Sequence, residues 1–274
     1  MLDLVFVLVF KMGIAGVAIA SILAQAISAV MVVMSLSAES MEYRFRFRQM
    51  RFEGDILSRT IRIGLPAGFQ SIMYSLSNML IQASVNRFGT DTVASWVVLG
   101  KVDGINWMIL GALGIASMTF VGQNYGAGRL DRIQKSLKLS LLIGVCISIV
   151  FGGALLLFGW PLFGLFTSDD TVLAMSMQLL WYFAPFYWLF VPIEIISGAL
   201  RGMGDTLIPT IITATGICVF RVAWIYTVVP LHNSMFTVSL SYPISWVLTA
   251  IAFAIYYMIC LLYTSPSPRD STSS

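Results

Sequence analysis

Long apolar stretches separated by short polar segments run through the chain. A helix that crosses a bilayer needs roughly 20 mostly apolar residues. Stretches of this kind lie at about 13–36, 63–87, 92–120, 139–161, 172–200, 207–230 and 236–262. A transmembrane barrel would instead show shorter segments of alternating polarity. The pattern therefore predicts an all-α polytopic membrane protein with about seven transmembrane helices.

The composition supports this class and leaves little room for catalytic chemistry. Hydrophobic residues make up 58% of the chain and charged residues 11%, against about 25% charged residues in an average soluble domain. The cysteines (Cys146, Cys218 and Cys260) are scattered within apolar stretches, and the single histidine, His232, lies in a predicted loop. Neither a disulfide framework nor a metal site is indicated. We expect a protein that is not an enzyme and that has no cofactor and no metal centre.

Loops that contain Lys or Arg alternate along the chain with loops that contain few or none. The segment between the first two apolar stretches and the loops near residues 129–138 and 201 contain them, whereas "FTSDDT" and "VVPLHNSM" contain none. Short cytoplasmic loops are enriched in these residues, so the loop near 121–138 is predicted to be cytoplasmic. The basic segment "YRFRFRQMRF" lies beside a span, which favours contact with anionic lipid rather than with nucleic acid.

Both ends of the chain raise questions of completeness. "MLDLVFVLVF" is too short for a span and lacks the features of a signal peptide. We therefore expect it to be the end of an earlier helix and the chain to be a fragment. The tail at 263–274 becomes rich in Ser and Pro and cannot form a core. Because it resembles adapter-derived read-through in assembled environmental sequences, we expect it to be non-native.

Ionisable residues inside a predicted span are costly, which makes each one a candidate functional residue. Away from the helix ends these are Lys101, Asp103, Glu194 and Arg221. Asp103 lies roughly 16 Å into its span at 1.5 Å per residue, with Asn106 on the same face. Asp103 and Glu194 are ion-coupling candidates or, alternatively, structural partners in the bundle. Lys101 and Arg221 are supporting cavity candidates or structural counter-ions.

Two prolines interrupt the span that holds Glu194. Pro185 and Pro192 each remove a backbone hydrogen bond and bend the helix. In broken transporter helices, freed carbonyl groups coordinate the coupling ion. The pattern favours a cation or proton site at Glu194, with Tyr187 and Arg201 on roughly the same face.

Three motifs, in this order and at this spacing, resemble the second half of the MATE (multidrug and toxic compound extrusion) transporters: "IGLPAGFQSIMYSLSNMLI", "FVGQNYGAGRLDR" and "SGALRGMGDTLIPT". The resemblance covers residues 1 to about 260. It implies that residues 1–36 hold the end of helix five and helix six of a twelve-helix transporter. Residues 37–60 would be the cytoplasmic linker between lobes, and residues 61–262 the second six-helix lobe.

The resemblance also implies a function. Such proteins are secondary antiporters that export amphipathic or cationic drugs and toxins in exchange for Na⁺ or H⁺. The expected location is the plasma membrane, here a bacterial inner membrane. The expected partners are the bilayer, a small substrate and the missing N-terminal lobe, with no nucleic acid.

Glycine-rich motifs at two helix ends are predicted to be structural, acting as a hinge or latch rather than as a drug site. Gly126 and Gly128 are expected to allow a tight turn that residues with a Cβ atom resist. The motif residues are Gly122, Asn124, Tyr125, Gly126 and Gly128 in the first segment and Arg201, Gly202, Gly204 and Asp205 in the second.

The chain departs from the family in one respect. Some members bind the coupling ion with acidic residues of helices seven, eight and ten, yet residues 63–87 contain no acid and Tyr74 stands about where a glutamate is expected. The choice between Na⁺ and H⁺ stays open. Two other interpretations are a lipid-linked precursor flippase of the same superfamily, which would carry a basic cavity, and a non-transporting membrane scaffold.

Overall fold

The computed structural model describes residues 5–37, 51 and 53–264. These residues are almost entirely helical and contain no strand, which confirms the predicted all-α class. Most of the predicted linker, at residues 38–50 and 52, and residues 265–274 of the predicted tail lie outside the described residues.

The α-helices are numbered here in chain order. They are α1 (Gly13–Leu36), α2 (Gly54–Val85), α3 (Thr90–Gly126), α4 (Leu130–Gly164), α5 (Asp170–Phe183), α6 (Val191–Gly202), α7 (Leu207–Thr213), α8 (Phe220–Thr227) and α9 (Met235–Thr264). Other helical geometries are a π-helix at Val5–Val9, a 3₁₀ turn at Asn86–Phe88, a 3₁₀ segment at Ala184–Phe190 and a second π-helix at Ala214–Val219. The last two join α5 to α6 and α7 to α8, so each pair forms one interrupted helix.

Six helical segments of the described chain are long and apolar enough to cross a membrane. They are Gly13–Leu36, Thr90–Gly126, Leu130–Gly164, Asp170–Gly202, Leu207–Thr227 and Met235–Ile259. Each of the six overlaps one of the seven predicted stretches. The stretch predicted at 63–87 is helical in α2 but is not among the six, because polar residues such as Gln70, Ser75 and Asn78 lower its hydropathy.

The chain divides into two compact units, Met1–Ser58 and Arg59–Ser274. In the first unit, α1 is apolar on all sides and only Gly16 and Ala20 are buried. In the second unit, α3 packs against α4, α5 and α6, and α9 packs against α6 and α8. The largest fully buried side chains of this unit include Trp246, Tyr187 and Phe163.

The outer faces of the second unit are apolar as well. Leu157 of α4 and Met108 of α3 are 79% and 75% exposed. In a multi-pass membrane protein such positions are compatible with contact to lipid, because acyl chains are as apolar as these side chains. Hydropathy therefore identifies the spans without showing which of their faces meets protein.

An N-cap residue and a glycine turn mark two of the helix ends. Asp169 begins α5 as its N-cap, and its Oδ1 accepts hydrogen bonds from the backbone N–H groups of Thr171 (2.8 Å) and Val172 (3.3 Å). Such a cap stabilises a helix by about 1 kcal/mol. Between α3 and α4, Gly128 adopts φ +69°, which reverses the chain within a few residues.

Candidate functional site

Glycines allow α3 and α6 to pack backbone against backbone. A Cβ atom added to Gly198 would lie 2.4 Å from the carbonyl oxygen of Gly114, and one added to Gly202 would lie 2.4 Å from the carbonyl oxygen of Met118. Small residues spaced four apart permit such close approach between membrane helices. We call Gly114, Gly122, Gly198 and Gly202 the glycine seam.

The glycine seam also positions Glu194. This residue lies one helical turn before Gly198 on α6, and its Oε2 atom would be 2.9 Å from a Cβ atom placed on Gly114. The carboxylate therefore rests directly against α3. One turn further along, the Ser117 hydroxyl donates a hydrogen bond to the carbonyl oxygen of Ile195 (3.2 Å), which links the two helices again.

The predicted interruption of the Glu194 span is confirmed. Pro185 falls within the 3₁₀ segment and Pro192 within the first turn of α6. The same segment carries Tyr187, whose buried hydroxyl donates a hydrogen bond to Oδ1 of Asp103 on α3. Asp103 thus has a hydrogen-bond partner from another helical segment.

Asp103 and Glu194 line one cavity of about 470 Å³. This volume lies within the range of about 300–1,000 Å³ that is common for small-molecule sites. The cavity is formed within the second unit by side chains of α2, α3, the interrupted α5–α6 helix, α8 and α9. Its polar and charged lining residues are Tyr74, Asn78, Gln82, Asp103, Glu194, Arg221 and Tyr242.

Aromatic rings form the apolar walls of this cavity. Trp107 packs edge-to-face against Phe190 with centroids 4.8 Å apart and against Trp246 at 5.8 Å. Trp96 contacts Tyr242 in the same way at 5.9 Å. A cavity with aromatic walls and a few charged groups suits an amphipathic ligand that carries charge.

Arg221 of α8 supplies the positive charge of the cavity. It is 4% exposed. Its Nε–H donates to the Ser245 hydroxyl oxygen (2.9 Å), and its guanidinium carbon lies 3.9 Å from the centroid of the Tyr242 ring. One side chain of α8 is thereby held against two residues of α9.

The sequence-predicted residues fall into three groups. Tyr74 and Arg221 line the cavity with the two carboxylates, and Tyr187 is buried behind Asp103. Lys101 is exposed and is not among the residues that line this cavity, so its supporting role stays a prediction. Two residues before Asp103, it faces another side of α3.

Asn106 and Arg201 have surroundings that the sequence did not indicate. Asn106 is 1% exposed, and neither polar atom of its amide has a hydrogen-bond partner among the described residues. Among the described residues, Arg201 forms no salt bridge with Glu194. Its Nη2 donates to the side-chain oxygen of Gln70 on α2 (2.7 Å), which ties α6 to α2.

The glycine-rich motifs lie at two helix ends. Gly128 and Gly204 have φ of +69° and +93°, whereas Gly126 ends α3 in ordinary helical conformation. The expectation that both Gly126 and Gly128 serve the turn is therefore wrong for Gly126. Gly122 and Gly202 belong to the glycine seam instead.

The polar residues of these motifs form both local and long-range hydrogen bonds. The Asn124 side chain donates to the carbonyl oxygen of Phe120 (2.8 Å), and Tyr125 is exposed. Asp205 accepts hydrogen bonds from the backbone of Ile208 and from the Tyr256 hydroxyl. In the described residues no group of three metal-ligating side chains comes together.

Sequence reasoning missed residues that only the packing identifies. Trp246, Tyr242 and Asn78 line the cavity, and Gly114 and Gly198 form its neighbouring seam. The seam had a visible signal, since Glu194, Gly198 and Gly202 recur at intervals of four. The aromatic lining had none, because aromatic residues are equally common on lipid-facing surfaces.

Comparison with known proteins decides the family. The MatE family model matches residues 66–227. This chain belongs to the MatE family. The match agrees with the motif resemblance to the MATE transporters and covers the cavity-lining residues from Tyr74 to Arg221, whereas Tyr242 and Trp246 lie after it.

Relatives from two bacteria illustrate the likeness. "Probable multidrug resistance protein YoeA" of Bacillus subtilis is 27% identical over 210 residues, which are 74% of this chain and 44% of that protein. "Probable multidrug resistance protein NorM" of Thermotoga maritima is 23% identical over 211 residues, 77% of this chain and 45% of that protein. The chain spans about half the length of the curated relatives it matches.

Solved structures share the fold. An outward-facing multidrug resistance MATE family transporter of the MOP superfamily superposes with a TM-score of 0.87 at 18% identity, over 96% of this chain and 59% of that one. A MOP superfamily transporter from Pyrococcus furiosus, described as having a binding pocket of reverse polarity, superposes with a TM-score of 0.86 at 18% identity. The superposition covers 96% of this chain and 60% of the Pyrococcus furiosus transporter. The chain is a multi-pass helical membrane protein with the MATE fold.

Proposed function

We propose that this chain contains the second lobe of a secondary antiporter that exports amphipathic or cationic compounds in exchange for Na⁺ or H⁺. The observation that carries the proposal is that Asp103 and Glu194 line the same aromatic cavity. A cationic ligand and a coupling cation would compete for these carboxylates, and such competition is the basis of exchange. The names of the relatives, which refer to multidrug resistance, support export as the direction of transport.

The proposed location is the plasma membrane, with the turn at Gly128 on the cytoplasmic side. The bases that follow it, Arg129, Arg132 and Lys135, support this orientation. The proposed partner is a first lobe, which would supply the facing wall of the transport pathway.

The other interpretations have less support. A flippase for anionic precursors would be expected to carry several bases in its cavity, and Arg221 is the single base among the lining residues. A scaffold would not need an accessible carboxylate at membrane depth. Carbodiimide labelling of Asp103 or Glu194, suppressed by substrate, would distinguish a transporter from a scaffold.

The proposed function is tested by binding to the chain in lipid nanodiscs. Ethidium fluorescence reports ligand occupancy while Na⁺ replaces choline at constant ionic strength, which keeps charge screening unchanged, or while pH is lowered. We expect Na⁺ or acid to weaken ethidium binding. Linkage requires ethidium to weaken binding of the ion by the same factor.

Variants that neutralise one carboxylate test whether the ion and ethidium compete at these two residues. Asp103→Asn and Glu194→Gln keep the side-chain shape, and we expect each to reduce the ion sensitivity of ethidium binding strongly. Lys101→Gln is the matched control, because it removes an exposed charge of the same helix outside the cavity. Ethidium binding that responds to neither ion in the unaltered chain would contradict the proposal.

The same variants have a transport readout. In a complete transporter that contains this lobe, we expect either neutralisation to cut ion-driven efflux strongly at normal expression. Wild-type efflux by both variants across the Na⁺ and pH range would place coupling in the first lobe.

A further inference from the structure

Arg221 is a permanent positive charge in a buried place. A guanidinium group stays protonated in proteins and offers five N–H donors. Burying such a charge is costly unless it is paired and hydrogen-bonded. Arg221 is 4% exposed and lies on the cavity wall, so its contacts must offset the cost of burying its charge.

The protein orients this charge without neutralising it. Ser245 accepts one hydrogen bond from Nε, and the rings of Tyr242 and Trp246 lie 3.9 Å and 6.0 Å from the guanidinium carbon. In the part of the chain that the structure describes, no carboxylate oxygen lies within 4.0 Å of a nitrogen of Arg221. Hydroxyl and ring contacts fix the plane of the guanidinium but leave its charge uncompensated.

The two acids of the cavity are engaged elsewhere. Asp103 accepts its hydrogen bond from Tyr187, and Glu194 rests against the glycine seam. Neither makes a salt bridge to Arg221. The cavity therefore presents its two carboxyl groups on the α3 and α6 side and its guanidinium group on the α8 side.

The backbone around Arg221 is built to hold it. The π-helix Ala214–Val219 ends two residues before it and changes the direction in which the following side chains point, a feature often found at functional sites. Within this π-helix, a Cβ atom on Gly216 would lie 2.3 Å from the Thr249 hydroxyl oxygen. This close approach brings the interrupted helix against α9, which carries Ser245 and Tyr242.

Building on the proposed function, we propose that Arg221 is an anion subsite, so that this cavity takes amphipathic ligands bearing both a cationic centre and a carboxylate. The terminal nitrogens of the guanidinium form no hydrogen bond to the described residues and match the two oxygens of a carboxylate. The cationic end of the same ligand would face Asp103 and Glu194. Its flat apolar body would lie between the rings of Trp96, Trp107 and Trp246.

A matched pair of dyes tests this subsite. Rhodamine B has one free carboxylate and a cationic xanthene, and its ethyl ester is the same cation with the carboxylate capped. Fluorescence anisotropy measures the binding of each dye to the chain in phosphatidylcholine nanodiscs, which contain no anionic lipid headgroup that would compete. The measured quantity is the ratio of the two dissociation constants.

Removing the guanidinium should weaken the binding of the free acid but not that of the ester. We expect Arg221→Gln to weaken rhodamine B binding by at least about tenfold, since hydrogen bonds to charged groups are among the stronger ones. Ester binding should stay the same or become tighter, because a like charge has been removed. Arg221→Lys keeps the charge without the planar fork and should recover part of the loss for rhodamine B only.

The possible failures are distinct. If the unaltered chain binds neither dye, the proposed function itself fails. If the unaltered chain binds the ester and Arg221→Gln leaves the ratio unchanged, Arg221 is a structural cation and the subsite is refuted. Should Arg221→Gln abolish binding of both dyes through misfolding, Ser245→Ala decides. This variant removes only the hydroxyl that orients Nε, and an unchanged ratio in it would equally refute the subsite.

Discussion

The glycine seam and the cavity beside it differ in what they can tolerate. In the seam, backbone meets backbone, and a single added methyl group at Gly198 would overlap a carbonyl oxygen. In the cavity, side chains face an open volume of about 470 Å³ and the constraint is charge rather than space. Glu194 belongs to both regions, since the seam holds the carboxylate that the cavity uses. Tight packing in the glycine seam therefore sets the position of the Glu194 carboxyl group in the cavity.

The largest loss of stability is expected from a substitution in the glycine seam. Gly198→Ala places a Cβ atom 2.4 Å from the Gly114 carbonyl oxygen, and backbone cannot move aside as a side chain can. Overpacking of this kind costs about 1–3 kcal/mol or more, and we expect the upper end of that range. The measurement is detergent-induced unfolding of the purified chain.

Gly111→Ala supplies the matched control on α3, since a Cβ atom there would have no neighbour within 4 Å. We expect it to be neutral or slightly stabilising, because alanine favours the helix by about 1 kcal/mol over glycine. Equal stability of the two alanine variants would show that close backbone packing at the glycine seam does not limit stability.

An intermediate effect is expected on the cavity wall. Tyr187→Phe leaves a buried Asp103 carboxyl without its described donor, which should cost about 1–3 kcal/mol of stability. Combining it with Asp103→Leu, which removes the acceptor, should cost less than the sum of the single changes. A double-mutant cycle on unfolding free energies measures this coupling. Additivity within about 0.5 kcal/mol would show that the pair does not interact.

The smallest effect is expected at the turn, outside both regions. Gly128→Ala puts a side chain at φ +69°, where a residue with a Cβ atom loses about 1–2 kcal/mol. Gly126→Ala lies in helical conformation with open space around it and should be neutral or stabilising. Thermal unfolding of both variants separates the two glycines. A larger loss at Gly126 than at Gly128 would overturn the assignment of the turn.

Several features of the site could be predicted because they are local. Pro185 and Pro192 break a helix wherever they occur, and the observed 3₁₀ segment follows from them. Ionic groups in an apolar stretch have few acceptable places, so Asp103, Glu194 and Arg221 were recognisable from the sequence as candidates. The sequence did not show that Lys101 lies outside this cavity, because an intramembrane position does not by itself say which face of the helix a residue occupies.

Other features of the site depend on contacts between residues that are far apart in the sequence. Tyr187 and Asp103 are far apart in the sequence, as are Arg221 and Ser245. In a membrane both the lipid-facing and the buried faces of a helix are apolar, so periodicity does not show how helices pack. The π-helix at Ala214–Val219 further shifts the register of the residues after it.

The sequence by itself determined the class of the protein, its spans, its helix breaks and its family. Those properties follow from hydropathy, from proline and glycine chemistry and from motif spacing, all of which are local. Only the tertiary structure decided which charges share a cavity. Close helix packing at four glycines set the position of Glu194, and the π-helix together with α9 set that of Arg221. Charges act on one another through space, and their distances exist only once the helices are packed.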